Sequence, residues 1–324
     1  MSTAGRSDPT DRTPEPGPVI IIGGAEDKLD SKTILTRFVR LAGGPEAHIV
    51  VISTASSLGD EATELYREVF RGLGVERLSG LRPLTRQEAN DPVHAATLDD
   101  ATGIYLTGGN QLRLSSIVGG TALGTAILQA HERGVVVAGT SAGASAVSSH
   151  MMAFGASGPT PKHRMAQVGV GLGLLRNVVV DQHFEQRTRL GRLLAVVAQS
   201  PSLIGIGLDE DTAAIISSDE TFEVIGRGAV TIVDGSHVMT DAFQTKGHKP
   251  MMVSGAVLHS LPSGYRFDLR SRALIARAEE PKRRRRTESP LARLRRLSRE
   301  TALEGADSFD LERRRRREDR EASE

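Results

Sequence analysis

The chain is predicted to be an α/β protein. Its core is a doubly wound, mostly parallel sheet flanked by helices, with antiparallel hairpins toward the C-terminal end. Three observations predict this. Short uncharged runs of Val, Ile and Leu recur along the sequence, as in strands buried on both faces. Segments with apolar residues at helical spacing separate them. Hydrophobic residues make up 39% of the 324 positions while aromatics reach only 3% and tryptophan is absent, so Val, Ile, Leu and Ala must build the core.

Taken in order, residues 1–17 read as a disordered leader rich in Pro, Thr and Asp, without the apolar stretch of a signal peptide. Residues 18–22 form a buried strand that ends in Gly23-Gly24 and a charged loop, Ala25-Glu26-Asp27-Lys28. Ligands sit at this C-terminal edge in open parallel sheets. Ile34, Leu35, Phe38, Val39 and Leu41 give the next helix its apolar face, closed by Gly43-Gly44. Residues 47–53 are a second strand, 60–73 a helix, 75–84 a third strand and 91–98 a short helix. The strand ending at Leu106 leads into Thr107-Gly108-Gly109-Asn110-Gln111, where paired glycines let backbone N–H groups approach a ligand.

Residues 134–138 are another buried strand, followed by a helix of small residues over 144–152 and a polar loop over 159–167. An apolar strand over 174–180, a helix over 185–198 and a strand over 203–208 complete the alternation. Short β-type runs near 214–216, 221–225 and 229–233 predict hairpins that extend the same sheet. Residues 279–324 hold 15 Lys/Arg against 12 Asp/Glu, a mixed-charge, Arg-rich tail expected to be disordered beyond a single domain over 18–278. That leaves 26 basic and 28 acidic residues elsewhere, a balance that gives no electrostatic sign of nucleic-acid binding. No stretch has bilayer-spanning length, so no membrane association and a cytoplasmic location are expected.

The chemistry centres on Gly139-Thr140-Ser141-Ala142-Gly143, which fits the G-x-S-x-G nucleophile elbow. A serine on a sharp strand-to-helix turn is held in a strained conformation that only small neighbours permit. The Ala142 N–H, with that of Gly108 or Gly109, could then stabilise an oxyanion. Of nine histidines, only His183 directly follows a buried strand as Ser141 does. Asp209 and Glu210 end the 203–208 strand, and either could orient such a base. The order Ser–His–acid differs from the Ser–acid–His order of α/β-hydrolases. The absence of cysteine excludes disulfides and thiolate chemistry. No H-E-x-x-H or phosphate loop is present, so no metal or other cofactor is expected.

Five segments together resemble a known family: Gly23-Gly24-Ala25-Glu26-Asp27-Lys28, Thr107 to Gln111, Gly139 to Ser145, Asp181-Gln182-His183-Phe184 and Leu208 to Ala213. In this order they look like the cyanophycinases, serine peptidases of the dipeptidase E-like group (family S51). The resemblance covers about residues 18–274 and implies a fold similar to class I glutamine amidotransferase domains. It implies hydrolysis of cyanophycin, a poly-aspartate with arginine on each β-carboxyl, to β-Asp-Arg dipeptides through an acyl-enzyme. Carried over residue by residue, it makes Ser141 the nucleophile, His183 the base and Glu210 its orienting acid. Substrate binding falls to Gln111, Asp181, Gln182, Arg187, Arg189 and Arg192. Glu26 and Asp27 are candidates to hold the substrate guanidinium. A homodimer is implied. An aspartyl or isoaspartyl dipeptidase of the same group is the alternative, and the arginine cluster favours the polymer.

Overall fold

The computed structural model describes residues 15–275. The leader through residue 14 and the predicted tail lie outside the described residues. The first half alternates β1 (Val19–Ile22), α1 (Thr33–Leu41), β2 (His48–Ile52), α2 (Asp60–Gly72) and β3 (Arg77–Leu81). Two short helices, α3 (Arg86–Ala89) and α4 (Pro92–Ala96), precede β4 (Gly103–Leu106). Then come α5 (Gln111–Val118), α6 (Ala122–Glu132), β5 (Val136–Thr140) and α7 (Ala142–Ala146).

Strands β1, β5, β4, β2 and β3 lie side by side in that order, all parallel. β1, β2, β4 and β5 are buried on both faces, which is why they are largely apolar without alternation, whereas the edge strand β3 is mostly exposed or half-buried and carries Arg77 and Ser79. In β1, Ile20 and Ile22 pack with Phe38 of α1 and Phe70 of α2, while Val19 and Ile21 face the opposite core. Gly17 is buried and donates to the His131 carbonyl at 2.8 Å, so the end of the predicted leader is seated on the body.

After α7 the chain forms a hairpin, β6 (His150–Gly155) with β7 (Ala166–Val170). The predicted helix over 144–152 therefore stops early. A continued helix would place Ser149 N–H on the Ser145 carbonyl, but that carbonyl lies 2.9 Å from Ser148 Oγ and Ser149 N–H donates instead to the Leu175 carbonyl at 2.8 Å. Next are β8 (Val178–Gln182), α8 (Leu190–Gln199) and β9 (Ile204–Leu208). The helix begins at Leu190, because Thr188 with φ 50° breaks the run predicted from 185.

The remaining strands are β10 (Thr212–Ile216), β11 (Thr221–Gly226), β12 (Ala229–Asp234), β13 (Met239–Thr240) and β14 (Val253–Ser254), then β15 (Val257–Pro262), β16 (Arg266–Asp268) and β17 (Ala273–Ile275). β10, β11, β16 and β17 extend the main sheet antiparallel from β1. β12 does not extend it. It leaves for a second sheet of order β15, β12, β9 and β8. That sheet packs Val178, Val180, Ile204, Ile206, Val230 and Ile232 against the core of the first. Its other face takes Leu193, Val196 and Val197 of α8. The strands that end in Ser141 and in His183 thus belong to different sheets.

Candidate active site

Ser141 follows β5 with φ 51° and ψ −109°, outside the regions open to most side chains. Such a conformation costs about 1–3 kcal/mol and persists only where its surroundings enforce it. Here the enforcement is steric. A Cβ on Gly139 would lie 2.5 Å from the Gly143 carbonyl, and one on Gly143 would lie 2.4 Å from the Leu106 oxygen. Ser141 N–H donates to the Ile22 carbonyl at 2.9 Å, tying the turn to the end of β1.

The same end of β1 holds the second sheet. His183 N–H donates to the Gly23 carbonyl and Asp211 N–H to the Gly24 carbonyl, each at 2.9 Å. Gly24, at φ 97°, lies under the His183 imidazole so closely that a Cβ would come within 2.4 Å of the ring. The glycine pair read from the sequence as a loop at a ligand edge is therefore the seat of the histidine.

Ser141 Oγ lies 3.0 Å from His183 Nε2, and His183 Nδ1 lies 2.6 Å from Glu210 Oε1. Burial pushes the imidazole pKa down, the Glu210 hydrogen bond pulls it up, and Arg187 and Arg189 push it down again. The net value falls below the ordinary 6.5, so the ring is neutral near pH 7. Asp209, the other acid at this strand end, accepts from Glu185 N–H at 3.1 Å and Ala229 N–H at 3.0 Å. It pins loops, and Glu210 alone meets the histidine. Gln186 Oε1 accepts from Glu210 N–H at 3.0 Å, a support that no sequence pattern announced.

Gly108 lies against the serine: a Cβ there would come 3.3 Å from Ser141 Cβ. Among the described residues, no backbone carbonyl takes the N–H of Gly108, Gly109 or Ala142. Nor does any cluster of three or more His, Asp or Glu side chains among them stand ready to hold a metal ion.

The sequence model of Peptidase family S51 matches residues 19–225. The chain belongs to peptidase family S51. It is 39% identical over 259 residues to the cyanophycinase of Trichormus variabilis, covering 79% of this chain and 87% of that one. The Geminocystis herdmanii cyanophycinase is 38% identical over 260 residues, covering 80% and 96%. The Synechococcus elongatus cyanophycinase is 40% identical over 257 residues, covering 79% and 80%. A crystal structure of a peptidase from an acI-B1 Actinobacterium has a similar fold, with TM-score 0.57 and 24% identity over 77% of this chain and 99% of that one.

In this S51 chain the residues expected to bind substrate divide into two groups. Asp181 is fully buried and grips Arg192, whose Nε donates to Oδ2 at 2.6 Å. Arg189 donates to the Asp181 carboxylate at 3.3 Å, to Gln182 Oε1 at 3.1 Å and to the Gln182 carbonyl. Both arginines are below 10% exposed and share the single Asp181 carboxylate, and Arg189 Nε is buried without a hydrogen-bond partner among the described residues. Gln111 Nε2 donates to the Met152 and Ala153 carbonyls at 3.2 and 2.6 Å, joining α5 to β6. Gln182 Oε1 lies 3.5 Å from Ser141 Oγ. Arg187 is exposed, and no side-chain hydrogen bond or ion pair engages it among the described residues.

Glu26 and Asp27 do not have free carboxylates. Buried Glu26 accepts from Tyr66 at 2.6 Å, Tyr105 at 3.0 Å and Thr140 at 2.5 Å, and pairs with Lys28 at 2.8 Å. Burial pushes its pKa up, but Lys28, Thr140 and Tyr66 outweigh this and hold it low. Asp27 accepts from the N–H groups of Leu29, Asp30 and Lys32 and from Ser31 Oγ. Those hydrogen bonds hold its carboxyl well below the usual range. Glu26 grips the residue before Ser141 and Asp27 shapes the loop into α1. Tyr66 and Tyr105, partners of Glu26, lie in a helix and a strand where the sequence shows only core aromatics.

Proposed function

We propose that this protein is a serine exopeptidase that hydrolyses cyanophycin, multi-L-arginyl-poly-L-aspartate, to β-Asp-Arg dipeptides. The observation that carries the reading is the continuous contact from Ser141 through His183 to Glu210, on a strained serine, in a chain close in sequence to proteins named cyanophycinase. Glu210 keeps the proton on His183 Nδ1, which leaves Nε2 to accept the Ser141 proton. Ser141 Oγ attacks the carbonyl carbon of the backbone amide. The oxyanion takes hydrogen bonds from Ala142 N–H and from Gly108 or Gly109 N–H. His183 then hands its proton to the leaving amine, and a water repeats the sequence to free the acyl group. Arg187 offers a charge for a substrate carboxylate.

A cytoplasmic homodimer belongs to the same reading, and sedimentation of the purified protein measures the second part of it. The decisive experiment incubates the protein separately with cyanophycin and with isoaspartyl dipeptides, then identifies products by mass spectrometry. Release of β-Asp-Arg from the polymer is expected. Hydrolysis of dipeptides with the polymer untouched would replace this reading with a dipeptidase.

A further inference from the structure

Every pendant arginine of the proposed substrate carries a guanidinium and a carboxylate, and a site that selects it must meet both charges. Most acids around Ser141 are already engaged. Glu26, Asp27, Asp181 and Asp209 are held by internal donors, and Glu210 by His183. Glu185 differs. It is exposed, and its carboxylate has no hydrogen bond or ion pair among the described residues.

The backbone around it is pinned. Glu185 N–H donates to Asp209 Oδ1 at 3.1 Å, and the Glu185 carbonyl accepts from Thr188 N–H at 2.9 Å. Arg187 N–H donates to the His183 carbonyl at 3.1 Å. A free anion and a free cation therefore project, two residues apart, from one rigid turn that begins at the base. Fixed backbone with unpaired charges is preorganised for a ligand of two opposite charges. Glu185 also lines a cavity of about 720 Å³ beside this turn, with Phe184, Thr188, Arg189 and Pro159.

We propose that Glu185 is a specificity-determining residue that receives the pendant guanidinium, while Arg187 takes the carboxylate of the same arginine. This rests on the polymer-hydrolase reading above. The test compares kcat and KM of the full-length wild type, Glu185→Gln and Glu185→Arg on β-Asp-Arg oligomers and on β-Asp-Lys oligomers. Glu185→Gln should raise KM for the Arg oligomer about tenfold, as loss of one charge-assisted contact does, and narrow the preference for Arg over Lys. Glu185→Arg should raise KM further, with kcat and melting temperature little changed in both. Asp30→Asn, at an exposed acid in the loop between β1 and α1, should leave the preference intact. An unchanged KM and preference in Glu185→Gln, or a loss confined to kcat, would overturn the assignment. A wild type inactive on Arg oligomers would instead sink the functional reading, and this inference with it.

Discussion

Ser141 is not the only serine here that contacts a histidine backed by a carboxylate. Ser79 Oγ lies 2.9 Å from His48 Nε2, and His48 Nδ1 lies 3.0 Å from Asp100 Oδ1. Ser79, however, sits within regular strand β3 and is not among the residues with positive φ, so no sharp turn lifts its hydroxyl above the sheet as one lifts that of Ser141. Contact among three side chains is a common way to satisfy a buried histidine, and it becomes chemistry only where the oxygen is lifted toward an oxyanion site. Ser141→Ala should therefore lower polymer hydrolysis about 10⁴-fold or more with the fold intact by circular dichroism, while Ser79→Ala keeps nearly full activity. An active Ser141→Ala protein would remove the nucleophile assignment. The histidine adds a pH signature. Burial and the neighbouring arginines hold its pKa below the ordinary 6.5, so the acid limb of kcat/KM, where the base becomes protonated, should have its midpoint below pH 6.5. An acid limb midpoint above 6.5 would contradict that direction.

At the level of strands and turns, the end of β1 organises the site. Its carbonyls at Ile22, Gly23 and Gly24 accept the N–H groups of Ser141, His183 and Asp211, one from each strand end that carries a reacting group or its neighbour. Parallel β5 and β1 place the serine in one sheet, and parallel β8 and β9 place the histidine and acid side by side in the other. Gly24 is where the two meet. In Gly24→Ala the added Cβ would stand 2.4 Å from the imidazole, on a backbone at φ 97° that alanine disfavours. The ring must then move away from Ser141. A fall in kcat of about 100-fold is expected from such a displacement, with a smaller change in KM. Wild-type kcat in this variant would show that the histidine is not seated by the glycine.

For the whole molecule, the relay, its supports and the free charges of Glu185 and Arg187 all lie between β1 and β12, inside the span of the S51 match. No helix among the described residues is long and apolar enough to cross a membrane. Residues 280–324 lie outside the match and outside the described region. Their removal should leave kcat/KM on the polymer nearly unchanged, measured beside the full-length chain. A loss of about tenfold would place the tail in substrate handling.

What the sequence by itself determined is local. Apolar runs specify buried strands because both faces of a parallel strand meet core. The glycines at 139 and 143 specify the elbow because no side chain fits there, and Ser141 and His183 stood out as candidates because each directly follows a buried strand. What it could not convey is pairing over long separations. Whether β12 extends the first sheet or crosses to the second depends on which edge is free to accept its hydrogen bonds, and β9 offers one. Asp209 and Glu210 are adjacent acids, and only the packed loops decide that one binds backbone N–H groups and the other the histidine. Likewise Arg187, Arg189 and Arg192 are alike in the sequence as expected substrate-binding residues, and only the fold pairs Arg189 and Arg192 with buried Asp181 and leaves Arg187 exposed. A carboxylate or guanidinium is available to a substrate only when the fold has not already satisfied it, and that is set by three-dimensional neighbours rather than by spacing along the chain.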